Sequence, residues 1–186
     1  MVWISPLRLR LAVRHLRRGG LVAYPTEAVY GLGCDPLNPK AVAELRALKQ
    51  RPAAKGLILI AADFRQLEPF MAPTDSVIRE KLLASWPGPI TWIVSASHWV
   101  PSWLRGEQGD IAVRVTSHEP AAALCSAFGG PIISTSANPS GSPPARTEIK
   151  TRRYFPGANL AYIPGATGDL RRPTAIYDAR SGSRLR

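Results

Sequence analysis

Residues 129–141 read Gly-Gly-Pro-Ile-Ile-Ser-Thr-Ser-Ala-Asn-Pro-Ser-Gly. The Gly-Gly-Pro turn leads into a short buried strand, and Asn-Pro-Ser-Gly turns the chain out of it. Three hydroxyls and an amide therefore stand where that strand meets the sheet edge, the place at which open α/β folds bind ligands. Ser and Thr each offer a donor and an acceptor, and Asn offers both from one amide. Such a loop holds phosphate oxygens or a small polar substrate without carrying charge. The competing reading is a Ser/Asn-rich turn whose side chains bond their own backbone.

Other stretches have the same grain. Leu21-Val-Ala-Tyr-Pro-Thr-Glu-Ala-Val-Tyr-Gly-Leu-Gly33 reads as strand, polar turn and Gly-rich exit. Leu48-Lys-Gln-Arg-Pro-Ala-Ala-Lys-Gly-Leu-Ile-Leu-Ile60 sets a cationic cluster before a strand. Leu7 to Arg18 has helical spacing with Leu7, Leu11 and Leu16 inward, closed by Gly19-Gly20. Asn38-Pro39 is an N-cap followed by proline at the first helical position, and this helix buries Ala41, Val42, Leu45 and Leu48 until Pro52 stops it. Thr74 or Asp75 caps a helix running to Trp86, and Pro120 to Phe128 is a short helix before Gly129. Strands are expected at 57–61, 90–94, 111–115, 132–135, 160–163 and 175–177. Helices mixed unevenly with strands predict an α/β sheet rather than a regular doubly wound fold.

The 186 residues suffice for one well-buried core, and a single domain over 1–186 is expected, with its core at about 7–178. No apolar run approaches the roughly 20 residues of a membrane span, and the N-terminus lacks the pattern of a secretory signal. Cys34 and Cys125 match no metal or redox spacing, which predicts two reduced, packed thiols and a cytoplasmic location. Lys and Arg number 24 against 13 Asp and Glu, a net charge of +11. An anionic partner follows, nucleotide or RNA, unless the excess is only a solvated basic surface. Arg8, Arg10, Arg14, Arg17 and Arg18 share the first helix; Arg146, Lys150, Arg152 and Arg153 form a second group, Arg171 and Arg172 a third.

Lys49, Arg51 and Lys55 lie where a helix gives way to a strand. Arginine grips two phosphate oxygens while lysine acts as a mobile point charge, so the three can surround a triphosphate. Favourable placement of cations at a helix C-terminus explains them equally. Thr26, at a strand end, can hold a carboxylate or hydroxyl or simply make a turn. Glu27 accepts from a substrate amine or pairs with an arginine; the residues do not choose. Arg114 stands between Val113 and Val115, so its side chain faces opposite to theirs, towards a groove or solvent. His118, in a loop, is a weaker candidate. Walker A, dinucleotide-fold, His-Glu-x-x-His and Gly-x-Ser-x-Gly motifs are missing, as is any pattern for a Ser-His-Asp triad or zinc.

In order, Pro25-Thr-Glu27, Lys49-x-Arg-Pro-x-x-Lys55 and Ser134-x-Ser-Ala-Asn-x-Ser-Gly141 resemble the YrdC-like family, closest to its short single-domain branch of TsaC-type threonylcarbamoyl-AMP synthases. Trp86-Pro-Gly-Pro-Ile-Thr91 and Ala112-Val-Arg-Val115 fit the same pattern, so the resemblance spans residues 7 to 178. It implies a twisted, mixed open sheet flanked by helices, around a large basic concave groove. It also implies a nucleotidyltransferase that converts L-threonine, bicarbonate and ATP to threonylcarbamoyl-AMP and pyrophosphate. The product would feed N6-threonylcarbamoyladenosine formation in tRNAs reading codons that begin with A. On this resemblance Lys49, Arg51, Lys55, Ser136, Asn138 and Thr174 go to ATP; Thr26, Thr91, Arg114 and Ser134 go to threonine and bicarbonate. No catalytic acid, base or nucleophile is implied, and Mg²⁺ comes with ATP without a protein carboxylate cluster. The implied partners are those substrates, the proteins that transfer the threonylcarbamoyl group onward, and tRNA or double-stranded RNA. Ile60 stands where many longer relatives carry a histidine near threonine, so that contact does not carry over. A non-catalytic RNA-binding module on the basic groove is the alternative. A carbamoyl-adenylate domain akin to those of hydrogenase maturation is a third reading, which the chain length disfavours.

Overall fold

The computed structural model describes residues 4–52 and 55–186. In chain order the elements are α1 (Pro6–Arg17), β1 (Leu21–Pro25), β2 (Tyr30–Gly33), α2 (Pro39–Lys49), β3 (Ile58–Ala61), α3 (Phe64–Leu67), α4 (Ser76–Ser85), β4 (Ile90–Ser95), β5 (Asp110–Val115), α5 (Glu119–Phe128), β6 (Ile132–Ser136), α6 (Glu148–Tyr154), β7 (Leu160–Tyr162) and β8 (Ala175–Asp178). A 3₁₀ turn, Glu68–Phe70, follows α3. The strands form one eight-stranded mixed sheet in the order β7-β1-β2-β6-β3-β5-β4-β8. Three pairings are parallel, β1 with β7, β3 with β5 and β4 with β8; the others are antiparallel.

Strand alternation divides the apolar residues into two cores. On one face Ala23, Leu32, Leu59, Val113, Trp92 and Ile133 pack under α2, α3 and α4 through Val42, Leu45, Leu67 and Leu82. On the other face Val22, Tyr24, Ile60 and Ile132 pack under α1 and α5 through Ala12, Val13, Leu16, Leu124 and Cys125. This second layer covers only part of its face. Gly31, Ser134, Ser136, Ala112 and Arg114 point the same way as Ile60 and Ile132 but are not among the residues of this second core, and Ile58 stands at its border.

The helix ends follow local chemistry. Asn38 caps α2, its Oδ1 accepting from the amides of Lys40 and Ala41, both at 3.1 Å. Asp75, not Thr74, caps α4, accepting from Ile78 N at 2.7 Å. Gly129 ends α5 at φ 88°, a conformation open to glycine.

Several expectations change. Leu7 and Leu11 are exposed, and the buried stripe of α1 is Ala12, Val13 and Leu16, because α5 and β1 approach that side of the helix. Leu48 is only half-buried, and Lys49 takes the inward position. α2 stops not at Pro52 but at Gln50, which adopts a left-handed conformation (φ 50°). Gly31 and Gly33 are not an exit but belong to strand β2, where added Cβ atoms would press on the Tyr24 ring. The hydroxyl-rich strand β6 lies inside the sheet rather than at its side. β7 and β8 occupy opposite sheet edges, so the segment 163–174 that joins them crosses the uncovered face. Gly168 N donates to Thr26 O (2.9 Å) and Leu170 N to Glu27 O (3.2 Å) along the way.

Cys34 and Cys125 are both fully buried, one in each core. Burial pushes both thiols up, Cys125 to about 12. The folded chain thus keeps protons that the unfolded chain gives up at an ordinary thiol value, so stability present below that value drains as pH rises. Urea unfolding stepped from pH 8 to 11 is expected to show a falling free energy, at most about 1.4 kcal/mol per pH unit per thiol. A Cys34→Ala/Cys125→Ala variant should give a flatter slope; equal slopes would mean that the thiols ionise in the folded protein.

Candidate active site

The uncovered face holds a cavity of about 140 Å³. β6 contributes Ser134 and Ser136, β2 contributes Gly31, β3 Ile58 and β5 Arg114, while the β1–β2 turn adds Thr26. The crossing segment closes one side with Pro173 and Thr174, and Arg51 and Arg186 complete the wall. The placement follows from register. Ser134 pairs with Ile58 and Ile58 with Ala112, and Arg114 lies two residues further along β5 on the same face.

Three guanidiniums meet this space. Arg114 is 4% exposed. Its Nη2 lies 3.3 Å from Glu27 Oε2, and its Nη1 donates to Thr174 Oγ1 at 2.7 Å. Glu27 Oε1 also accepts from Thr116 Oγ1 at 2.6 Å. The open choice at Glu27 is therefore decided: it pairs with the strand arginine. Arg51 donates from Nη2 to Gly56 O at 2.6 Å, and Arg186 from Nη2 to Thr174 O at 3.0 Å. Burial, followed by repulsion from neighbouring arginines, lowers the pKa of both Arg51 and Arg186. Buried Nε atoms of Arg51 and Arg114 have no hydrogen-bond partner among the described residues. Arginine stays charged in proteins, and of the three cations only Arg114 has a side-chain carboxylate, Glu27, against it among the described residues, so a bound anion would offset the excess.

The hydroxyls divide by how much bonding capacity they retain. Thr26 Oγ1 spends its proton on Val29 O (2.7 Å), which leaves its lone pairs as acceptors. Thr174 accepts from Arg114 and keeps its own proton. Ser134 is buried and Ser136 half-buried at the wall. An arrangement of fixed cations and hydroxyls neutralises and orients an anionic, multiply oxygenated ligand.

Of the residues expected at a site, Thr26, Arg51, Arg114, Ser134, Ser136 and Thr174 line this one cavity. Lys49, Lys55, Thr91 and Asn138 are not in its lining. Lys49 is 2% exposed, and its ammonium donates to the carbonyls of Ser136 and of Asn138 (2.6 Å for the latter). Burial, then Arg51, brings its pKa down to about 8. Lys55 is exposed. Asn138 turns its amide nitrogen to the carbonyls of Pro139 (2.9 Å) and Ser142 (2.6 Å), bonding its own loop. Thr91 is fully buried, with no partner for its Oγ1 among the described residues. It lies on β4 across from the end of β5, on the face that Arg114 shares. His118 is half-buried, its pKa lowered by burial against the opposing pull of Glu27.

Sequence reasoning missed Arg186. The residues after β8 turn back along it, Leu185 N donating to Ile176 O (2.8 Å) and Ile176 N to Arg186 O (3.2 Å). Ser-Gly-Ser-Arg-Leu-Arg carries no strand pattern, so only its surplus of arginine pointed to the site. Among the described residues no cluster of three or more His, Cys, Asp or Glu is arranged to hold a metal ion.

The Glu27–Arg114 pair makes a stability prediction. Arg114→Met leaves Glu27 buried without its countercharge and should cost about 3–5 kcal/mol in urea unfolding. Glu27→Gln/Arg114→Met removes both charges and should recover most of that loss; a double variant as unstable as the single one would show that Glu27 does not depend on Arg114.

A family model, Sua5/YciO/YrdC, described as "Telomere recombination", matches residues 14–185. A Halorhodospira halophila protein named "Threonylcarbamoyl-AMP synthase" is 57% identical over 181 residues, covering 97% of this chain and 95% of its own length. One of the same name from Methylococcus capsulatus is 54% identical over 186 residues, the full length of both. Among solved structures, P. abyssi Sua5 complexed with L-threonine has TM-score 0.87 and 34% identity; the match covers 95% of this chain and 52% of that one, about half its length. E. coli YciO has TM-score 0.81 and 28% identity, over 94% of this chain and 84% of that chain. With a family match over nearly the whole sequence and close relatives covered end to end, the chain belongs to the Sua5/YciO/YrdC family.

Proposed function

We propose that the chain is a threonylcarbamoyl-AMP synthase, taking L-threonine, bicarbonate and ATP to threonylcarbamoyl-AMP and pyrophosphate. The observation that carries this is one cavity in which Arg51, Arg114 and Arg186 stand beside Thr26, Ser134, Ser136 and Thr174. Relatives bearing that name at 57% and 54% identity support it, as does the L-threonine complex of the 34%-identical Sua5.

The chemistry suits such a wall. The threonine amine adds to bicarbonate-derived carbon with loss of water, giving a carbamate. A carbamate oxygen then attacks the α-phosphorus as the bond to the bridging oxygen breaks, and that electron pair leaves with pyrophosphate. Phosphoryl chemistry of this kind depends on positioning and charge neutralisation rather than on a protein nucleophile. We assign Arg51, Lys55, Ser136 and Thr174 to ATP, with Lys49, at the end of α2, and Asn138, in the loop after β6, behind them. Arg114, Thr26 and Ser134 go to threonine and its carbamate, with Thr91 beneath Arg114. Among the described residues no cluster of His, Cys, Asp or Glu is arranged to hold a metal ion, and we assign Mg²⁺ to the nucleotide. We place the expected basic concave groove around this cavity, on Arg51, Arg114 and Arg186. Transfer proteins acting on tRNA would consume the product, and the cytoplasm suits two buried free thiols. Among the described residues no helix is long and apolar enough to cross a membrane.

Purified protein should release pyrophosphate from ATP only when L-threonine and bicarbonate are both supplied. Equal turnover without threonine, or equal efficiency with serine, would overturn the assignment.

A second contact is favoured by one observation. Arg8, Arg10, Arg14, Arg17 and Arg18 are all exposed along and just after α1, which has no acidic residue. We assign this stripe to RNA phosphates. Aromatic residues are 8% of the chain and do not interleave with these arginines, so base stacking is not part of it. Binding should be tolerant of sequence, with log K falling about 0.7–0.9 per phosphate neutralised for each unit of log salt. Replacing Arg10, Arg14 and Arg17 with Ala should abolish most RNA binding and leave pyrophosphate release near wild type. Loss of both together would place the helix in the active site.

A further inference from the structure

Lys49 is the last residue of α2 and does not line the cavity. Its surroundings are all backbone of one loop. The Lys49 carbonyl accepts from Ser140 N at 2.8 Å, and its ammonium donates to the carbonyls of Ser136 and Asn138. Three backbone groups of the segment 136–140 therefore converge on one side chain and its own peptide. Without that ammonium two carbonyl dipoles would be left facing each other where water is largely excluded, which costs more than the bonds gain. The left-handed Gln50 that follows separates Lys49, turned inward, from Arg51, turned to the cavity. Two of the three ammonium donors are spent on these carbonyls, and the side chain, 2% exposed, does not line the cavity.

We infer that Lys49 is a positioning residue: its ammonium fixes the peptide planes of Ser136 and Asn138, and so the place of the Ser136 hydroxyl on the cavity wall, while Arg51 meets the phosphates. This rests on the adenylate-forming reading above and gives one of its expected nucleotide ligands a different task. The two cations of Lys-x-Arg then divide the work, one building the wall and the other binding across it.

The test compares wild type, Lys49→Met and Arg51→Ala for affinity towards a non-hydrolysable ATP analogue and for pyrophosphate release with threonine and bicarbonate. Lys49→Met is expected to bind the analogue within about threefold of wild type yet lose about 100-fold in kcat, the scale of a small misplacement. Arg51→Ala should lose about tenfold or more in analogue affinity. Hydrogen exchange at the Ala137 and Ser140 amides should rise about tenfold or more in Lys49→Met alone. Should Lys49→Met not fold, Lys49→Arg, which keeps the charge and donors with a different reach, carries the same comparison. Affinity lost by the Lys49 variant as severely as by Arg51→Ala would assign the ammonium to phosphate. Unchanged kcat with unchanged exchange would show that the loop holds itself. If wild type releases no pyrophosphate, the activity reading fails, while amide exchange still decides the clamp.

Discussion

Every strand of the sheet has a period of two, and the two faces it creates are covered unequally. One face is filled by a continuous core under α2, α3 and α4; the other is covered by α1 and α5 over Val22, Tyr24, Ile60 and Ile132, with Ile58 and Ala161 at the margin. The cavity exists because the second layer stops short. Residues just beyond it on the same face, Ser134 and Arg114 among them, are therefore polar, although the strands that carry them are held by the apolar residues on either side in sequence. A one-residue slip in β5 would exchange Arg114 for Val113 or Val115 and fill the site with a core side chain.

The charge arrangement depends on this enclosure. Glu27 offsets one cation and is itself held by Thr116, so Arg114 keeps its orientation without an occupant. Arg51 and Arg186 hold to carbonyls, which fix direction but cancel no charge. The protein has placed its donors before any anion arrives, and binding need not reorganise them, which is the condition under which electrostatic stabilisation is most effective.

The strands other than β2, the Asn38 and Asp75 caps and the Gly129 stop were legible in the sequence because each depends on neighbours within a few residues. The face that Arg114 takes was legible from its valine neighbours. Which side of α1 is buried was not: Leu7 and Leu11 fit a helical stripe, but α5, more than a hundred residues later, packs on Ala12, Val13 and Leu16 instead. The short helices α3 and α6 have too few turns to show a period. For Asn138 the loop-bonding reading is the one the structure shows for its amide nitrogen, a choice that depends on carbonyl directions no motif encodes. Arg186 joins the site through pairing with β8 and gave no local signal.

The pairing of β1 with β7 joins residues 21–23 to 160–162. Strand β1 thus waits for a partner made more than a hundred residues after it, and β2 waits for β6 in the same way. Contacts so distant along the chain make folding slow relative to local helix formation. While the chain is still emerging from the ribosome, the apolar strand Leu21-Val-Ala-Tyr has one edge unpaired, a template for association with other chains. Arg14 and Arg18, at the end of the preceding helix, stand beside that edge next to Leu160 and Ala161, and their mutual repulsion between nascent chains would keep it from finding the wrong neighbour before its own arrives.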